Sequence, residues 1–207
     1  MTRTQIGILW GTTLLVVIGL VVLSQVLGRP TSSTMTVEPT TMPAAVYRLP
    51  ESPGSARSLY AYADQAARTW QADAQLASAL SNWAFVEIDD LSQPAPWTYQ
   101  FYSPATGRAC TVSVDGTQAT VIRESLSPYP LRPVTGEAWR VDSPQALSAW
   151  LEQGGGAFLS RHSVVDLSAR LRVSEQGRLE WVVVGMVRDT ETMQLVRIDA
   201  ATGAVLQ

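Results

Sequence analysis

His162 is the only histidine in the chain, and Ser160, Ser163 and Asp166 stand around it in the run LSRHSVVD. A serine beside an imidazole that a carboxylate orients is the constellation of acyl-transfer enzymes. Here the residues fall at a helix end or strand start, without a nucleophile elbow, and the histidine reads as a surface or capping residue. Cys110 is likewise alone; it has no disulfide partner, and one cysteine with one histidine cannot complete a tetrahedral zinc site. It reads as a small half-buried hydrophobe on a strand, with Arg108 as the neighbouring cation that would favour a thiolate. Glu87, Asp89 and Asp90 in VEIDD form the densest carboxylate cluster, but they lack the D-x-D-x-D-G spacing of a calcium loop and read as a solvated strand end. The glycine run of EQGGGAF lacks the Gly-Lys-Ser/Thr ending of a phosphate loop. The expectation is a protein with no catalytic residue, no cofactor and no metal site.

Seven tryptophans remain to be placed. Trp10 suits a membrane interface, and Trp70, Trp83, Trp97, Trp150 and Trp181 fall on core-facing stripes. Trp139 fits no stripe and is the candidate exposed aromatic for binding a peptide or carbohydrate. All 15 basic residues are arginine, for which no mechanism suggests itself. Beyond residue 29 there are 13 arginines against 18 acids, about −5, and no basic run or aromatic–basic interleaving, so nucleic acid is excluded as a partner. No small-molecule substrate is evident either.

These residues need elements to hold them. From Ile6 to Leu27 the chain reads IGILWGTTLLVVIGLVVLSQVL, 22 residues without a charge. At a helical rise that is roughly 33 Å, enough for a hydrocarbon core of about 30 Å. A cleaved signal peptide is the rival reading, but its apolar region is about 7 to 15 residues and ends in a small-x-small site, which SQVLGRP does not supply. The expectation is one uncleaved membrane helix over 6–27, after a short cytoplasmic N-terminus (1–5) and with the C-terminal part extracytoplasmic. Gly7 and Gly11 make a G-x-x-x-G, the candidate face for packing against another membrane helix. Residues 28–56, rich in Pro, Ser and Thr, read as an extended tether.

Beyond the tether the pattern turns α+β. Leu59, Tyr62, Ala63, Ala66 and Trp70 recur at helical spacing. Strand signals follow in AQLASALSNWAFVEI, WTYQFYS and ACTVSVDGTQATVI, the last with an Asp115–Gly116 turn. DSPQALSAWLEQGGG then repeats a helix, with Ser143 as cap, Pro144 in the first turn and Gly154 to Gly156 ending or breaking it. Three more strand signals follow: SVVDLSARLRV, LEWVVVGMVR and MQLVRIDA. Trp97 to Asp115 spans 18 residues, and so does Trp181 to Asp199; each Trp starts a strand and each Asp precedes a turn. The reading is two units, 57–135 and 136–207, each a helix followed by a three- to four-stranded antiparallel sheet.

The closing stretch WVVVGMVRDTETMQLVRIDAATGAVLQ, behind the helix SPQALSAWL, resembles the PepSY domain: a Trp-led strand, a turn, then a strand closing on Asp-Ala-x-Thr-Gly. Residues 137–207 carry the likeness, and 57–127, with VDGTQATV, resemble a diverged copy. The resemblance implies an extracytoplasmic, non-catalytic module of the kind found in peptidase propeptides and membrane-anchored proteins. The function expected from it is binding or regulation of an envelope protein such as a peptidase, although no peptidase domain is attached. The alternative is an accessory or structural subunit of a membrane complex, its helix packed through Gly7 and Gly11. The expected partners are the lipid bilayer and another membrane or envelope protein.

Overall fold

A computed structural model describes residues 47–49 and 54–206. The chain divides after Pro43, and the described residues all belong to the second unit. Helix α1 (Ala56–Trp70) begins at Ser55, whose Oγ accepts the Ser58 amide. Its buried residues are Ala56, Leu59, Ala63 and Ala67, while Tyr62 of the expected stripe turns outward. Three alanines leave the helix thin on that side. The helix therefore sits low on the sheet, and the aromatic rings of the strands beneath it fill the layer.

Four strands follow as an antiparallel meander: β1 (Gln75–Trp83), β2 (Trp97–Ser103), β3 (Arg108–Asp115) and β4 (Gln118–Leu126). The second helical stretch starts at α2 (Ser143–Trp150), capped by Asp142 rather than Ser143. Asp142 forms a capping box with Gln145. Ser143 Oγ instead accepts the Ala56 amide, and Asp142 Oδ1 the Arg57 amide, so the start of α2 also caps α1. The glycine run breaks the helix without ending it. A wide turn (Leu151–Gly155) containing Gly154 at φ 103° leads into α3 (Gly156–Arg161). A second meander completes the chain: β5 (Val165–Val173), β6 (Leu179–Val187), β7 (Met193–Asp199) and β8 (Val205–Leu206).

The fold is α+β, as expected, but in place of a separate three- to four-stranded sheet in each of two units the eight described strands form one sheet in the order β4-β3-β2-β1-β5-β6-β7-β8. The first strands of the two meanders pair antiparallel at its centre, from Ser78 opposite Arg172 to Trp83 opposite Leu167. Trp97 lies opposite Val114, and Trp181 opposite Ile198. Each indole N–H donates to the carbonyl just before a helix cap: Trp97 to Gly54 at 3.0 Å and Trp181 to Val141 at 2.8 Å. The two rings meet edge to face, 5.9 Å apart. The ends of the sheet differ, with nine residues in β4 and two in β8.

Register places Ala79, Tyr99, Leu171 and Trp181 side by side on one face. Both helical stretches lie on it: Tyr99 Oη donates to the Ala56 carbonyl, and Trp150 of α2 seats over Gly185, where a Cβ would come within 2.6 Å of the ring. The connection between the meanders is fastened to both, Val134 N–H to Leu76 and the Arg140 and Val141 amides to Ala200. Two expectations shift here. Tyr47 and Leu49, assigned to the tether, pack against the core, and the Leu49 amide donates to Ser148 Oγ. The expected membrane helix 6–27, with Gly7 and Gly11, lies outside the described residues, among which no helix is long and apolar enough to cross a membrane.

Candidate interaction surface

No described helix covers the opposite face of the sheet, and its two halves differ in chemistry. Strand pairing sets Leu80, Thr98, Ser113 and Thr120 in one row across the first meander, with Ser78, Gln100 and Thr111 beside it. β2 from Trp97 to Phe101 and β3 from Cys110 to Val114 alternate apolar inward and hydroxyl or amide outward, as a sheet with one wet face should, while β1 departs from the pattern with Leu80 outward and Ser81 inward. In the second meander β6 runs Trp181-Val182-Val183-Val184-Gly185-Met186, apolar in both registers. A continuous apolar run is the pattern of a strand covered on both sides. Here only the side holding Trp181, Val183 and Gly185 is covered.

On the bare side, Val184 pairs with Leu195 and Met186 with Met193. Leu195 and Met186 are each 47% exposed and Met193 61%. A groove of about 420 Å³ opens at their edge, lined by Trp83, Val184, Met186, Asp166 and Arg188 among others. Its rim is rigid. Arg188 donates to both Asp166 oxygens at 2.9 to 3.1 Å, and its guanidinium lies 4.0 Å over the Phe85 ring. The Asp166 carboxylate also accepts the Phe85 amide at 3.3 Å, and Phe85 is held at φ 55°, a conformation rare for so bulky a residue. The hydrogen bonds from Arg188 hold the Asp166 carboxyl below its usual range, burial opposing them.

The far end of the same face is basic. Glu180, 0% exposed, accepts from Arg172 on β5 at 3.0 Å and from Arg197 on β7 at 2.7 Å. Arg170, in the row with Val182 and Arg197, makes no ion pair among the described residues. Arg178 stands 3.8 Å from Asp199. Four arginines thus face two carboxylates. At the groove end the balance inverts: Asp166 is paired to Arg188, and Asp189 and Glu191 follow in the turn between β6 and β7.

The residues singled out by type alone do not assemble. Ser160 Oγ donates to the Gly156 carbonyl, Asp166 is engaged by Arg188, and His162 follows α3 with its ring against Phe158. Asp90 accepts the Glu87 amide, and among the described residues no three His, Cys, Asp or Glu side chains gather as for a metal. Cys110 is buried, and that burial, with Glu124 nearby, pushes its thiol up to about 11. Trp139 is a correction: it is only 3% exposed, set edge-on between Tyr60 and Trp181, and offers no binding ring. The connection carrying it closes over the helix face, which draws it inward. Asp199 Oδ1 accepts the Ala201 and Thr202 amides, so it shapes the closing turn. Burial raises its pKa, but those amides, Thr202 and Arg178 outweigh it and hold the carboxyl low.

Sequence reasoning passed over Met186, Met193, Leu195 and Arg170. The signal was present in WVVVGM, where both registers are apolar, but it was spent on identifying a strand. Comparison with protein-family models, with curated proteins and with solved structures finds no match for this chain.

Proposed function

We propose that this chain is a membrane-anchored, extracytoplasmic binding module whose folded part holds another envelope protein against the bare face of β5–β7. One observation carries the reading: β6 has the sequence of a strand covered on both sides, and one side is open. The uncharged stretch 6–27 supports an anchor, and the Pro/Ser/Thr-rich stretch after it supports a spacer. Under the same reading the two halves are PepSY-like units. What supports this is the order of helix then four strands in each half, and a Trp in each whose N–H meets the carbonyl before the helix cap.

The test is a photo-cross-linking residue at Leu195 or at Thr111 in the full chain in intact membranes. Leu195 should yield a discrete protein adduct that Met193→Asp abolishes, and Thr111 should not. No adduct from Leu195, or equal adducts from both, refutes the reading. A subunit held through Gly7 and Gly11 is the second reading, favoured by that spacing in an uncharged stretch. Its mark would be stoichiometric co-purification in mild detergent that Gly7→Leu/Gly11→Leu disrupts and Met193→Asp leaves intact.

A further inference from the structure

The charge and the apolar surface of the bare face lie in a fixed order along the strands. Starting from Glu180, successive outward positions on β6 are Val182, Val184 and Met186. Arginines flank the Glu180 and Val182 end, the apolar pairs Val184–Leu195 and Met186–Met193 follow, and the β6–β7 turn beyond them carries Asp189 and Glu191. At about 3.3 Å per residue the outward row from Val182 to Met186 covers roughly 13 Å. Two turns of helix rise about 11 Å and present a stripe at i, i+4 and i+7 of nearly that length. An extended strand would instead seek a sheet edge, where unpaired backbone groups lie.

We infer that the bare face of β5–β7 seats an amphipathic helix of a partner protein, acidic at the end lying over Arg170 and Arg197 and basic at the end over Asp189 and Glu191. The inference rests on the binding-module reading and names the partner's chemistry. A chain with net charge −3 carries here a local surplus of two arginines. Glu180 is already shared by Arg172 and Arg197, which leaves Arg170 as the donor open to a carboxylate from outside, in a geometry suited to bidentate pairing. The groove beside Met186 and Val184, about 420 Å³, has room for one large side chain as an anchor. Methionines at 186 and 193 adapt their shape to that anchor without strain. Acids in the first turn of the incoming helix also match its own dipole, which fixes its direction: N-terminus over the arginines, C-terminus over the Asp189–Glu191 hairpin.

The experiment uses the full chain in neutral phosphatidylcholine nanodiscs and two short synthetic helices with the same leucine stripe. One carries glutamates at the first turn and lysines at the last; the other carries lysines at both. Fluorescence anisotropy reports binding, and the Met186 and Met193 methyl resonances report its place. The glutamate-ended helix should bind at least about tenfold tighter and shift both methyls. Arg170→Glu should weaken it about tenfold while improving the lysine-ended helix, and Met193→Asp, at an exposed position, should weaken both. Equal binding of the two helices, binding without methyl shifts, or no binding of the glutamate-ended helix overturns the inference. So does broadening of the methyls only when phosphatidylglycerol replaces part of the neutral lipid, since the face would then meet membrane. If the inference falls while Leu195 still cross-links to a protein, the binding reading stands with a different partner chemistry.

Discussion

Trp97 and Trp181 offer the sharpest test of how the two halves are joined. Trp181→Phe keeps a ring in place but removes the N–H that satisfies the Val141 carbonyl at 2.8 Å. Leaving that acceptor under a fully buried ring costs about 1–3 kcal/mol. The missing part of the indole leaves a small cavity worth roughly another 1 kcal/mol. The single substitution should therefore cost about 2–4 kcal/mol, and Trp97→Phe, which strands the Gly54 carbonyl, should cost a similar amount. Because the rings meet edge to face at 5.9 Å, the two changes should not add. The double variant should show a coupling of about 0.5–1.5 kcal/mol. The assay is urea denaturation of the full chain in mild detergent, followed by far-UV circular dichroism. A cost below about 0.5 kcal/mol for either single variant would refute the capping role of its N–H. Strict additivity would mean that the rings do not share one core.

Trp139 should behave differently from Trp97 and Trp181, because its buried Nε1 has no hydrogen-bond partner among the described residues. Replacing it by phenylalanine should change stability by less than about 1 kcal/mol, since the lost ring area is offset by removal of an unsatisfied donor; a cost above about 3 kcal/mol would sink that account. Cys110, 1% exposed and with its thiol raised to about 11, should resist iodoacetamide at pH 8 and react only as the protein unfolds in urea. Rapid labelling of native protein would show that β3 opens locally. Acid should destabilise the fold through four carboxylates whose pKa values are lowered: Asp73 by the Ala105 amide and Ser103, Asp166 by Arg188, Glu124 by Trp70, and Asp199 by its turn amides against opposing burial. A depressed folded-state pKa contributes stability above the unfolded value of about 4 and loses it as the pH falls through the folded value. Thermal denaturation should therefore show a flat Tm from neutrality to about pH 5 and a steep fall below about pH 4. A Tm that stayed flat down to pH 2 would contradict the four lowered values.

Local pattern exposed most of the elements. The 3.6-residue stripe of α1, the alternation of WTYQFYS and the Asp115–Gly116 turn are properties of neighbouring residues, and each appears near its expected place. What stayed hidden depends on contacts across the chain. Trp139 looked free because its loop has no period; only the amide bonds of Arg140 and Val141 to Ala200 bring it under cover. Ser143 looked like a cap, yet it serves α1 across 87 positions of sequence. The candidate surface was illegible for a related reason: a doubly apolar strand announces two covered faces, and nothing local says which of them the chain's own helices will leave open.

The outward positions sharpen what that open face is for. Aligned on their tryptophans, Val182, Val184 and Met186 correspond to Thr98, Gln100 and Tyr102, and Leu195 on β7 corresponds to Thr111 on β3. The inward positions stay apolar in both halves, as the core requires. Thr98, Gln100 and Thr111 are polar at these outward positions, where β6 and β7 carry Val182, Val184 and Leu195, so the sheet tolerates hydroxyls and amides there. Folding alone does not ask for the valines and methionines of the second half. Moving the first half's outward residues across, as Val182→Thr, Val184→Gln and Leu195→Thr, should cost less than about 3 kcal/mol in urea, because Val182 and Val184 are only partly buried, Leu195 is 47% exposed, and threonine suits a strand nearly as well as valine. The same triple variant should lose the Leu195-side adduct when the cross-linker is moved to Met193. Large destabilisation would assign the apolar face to the monomer's own core, and an undiminished adduct would place the partner elsewhere.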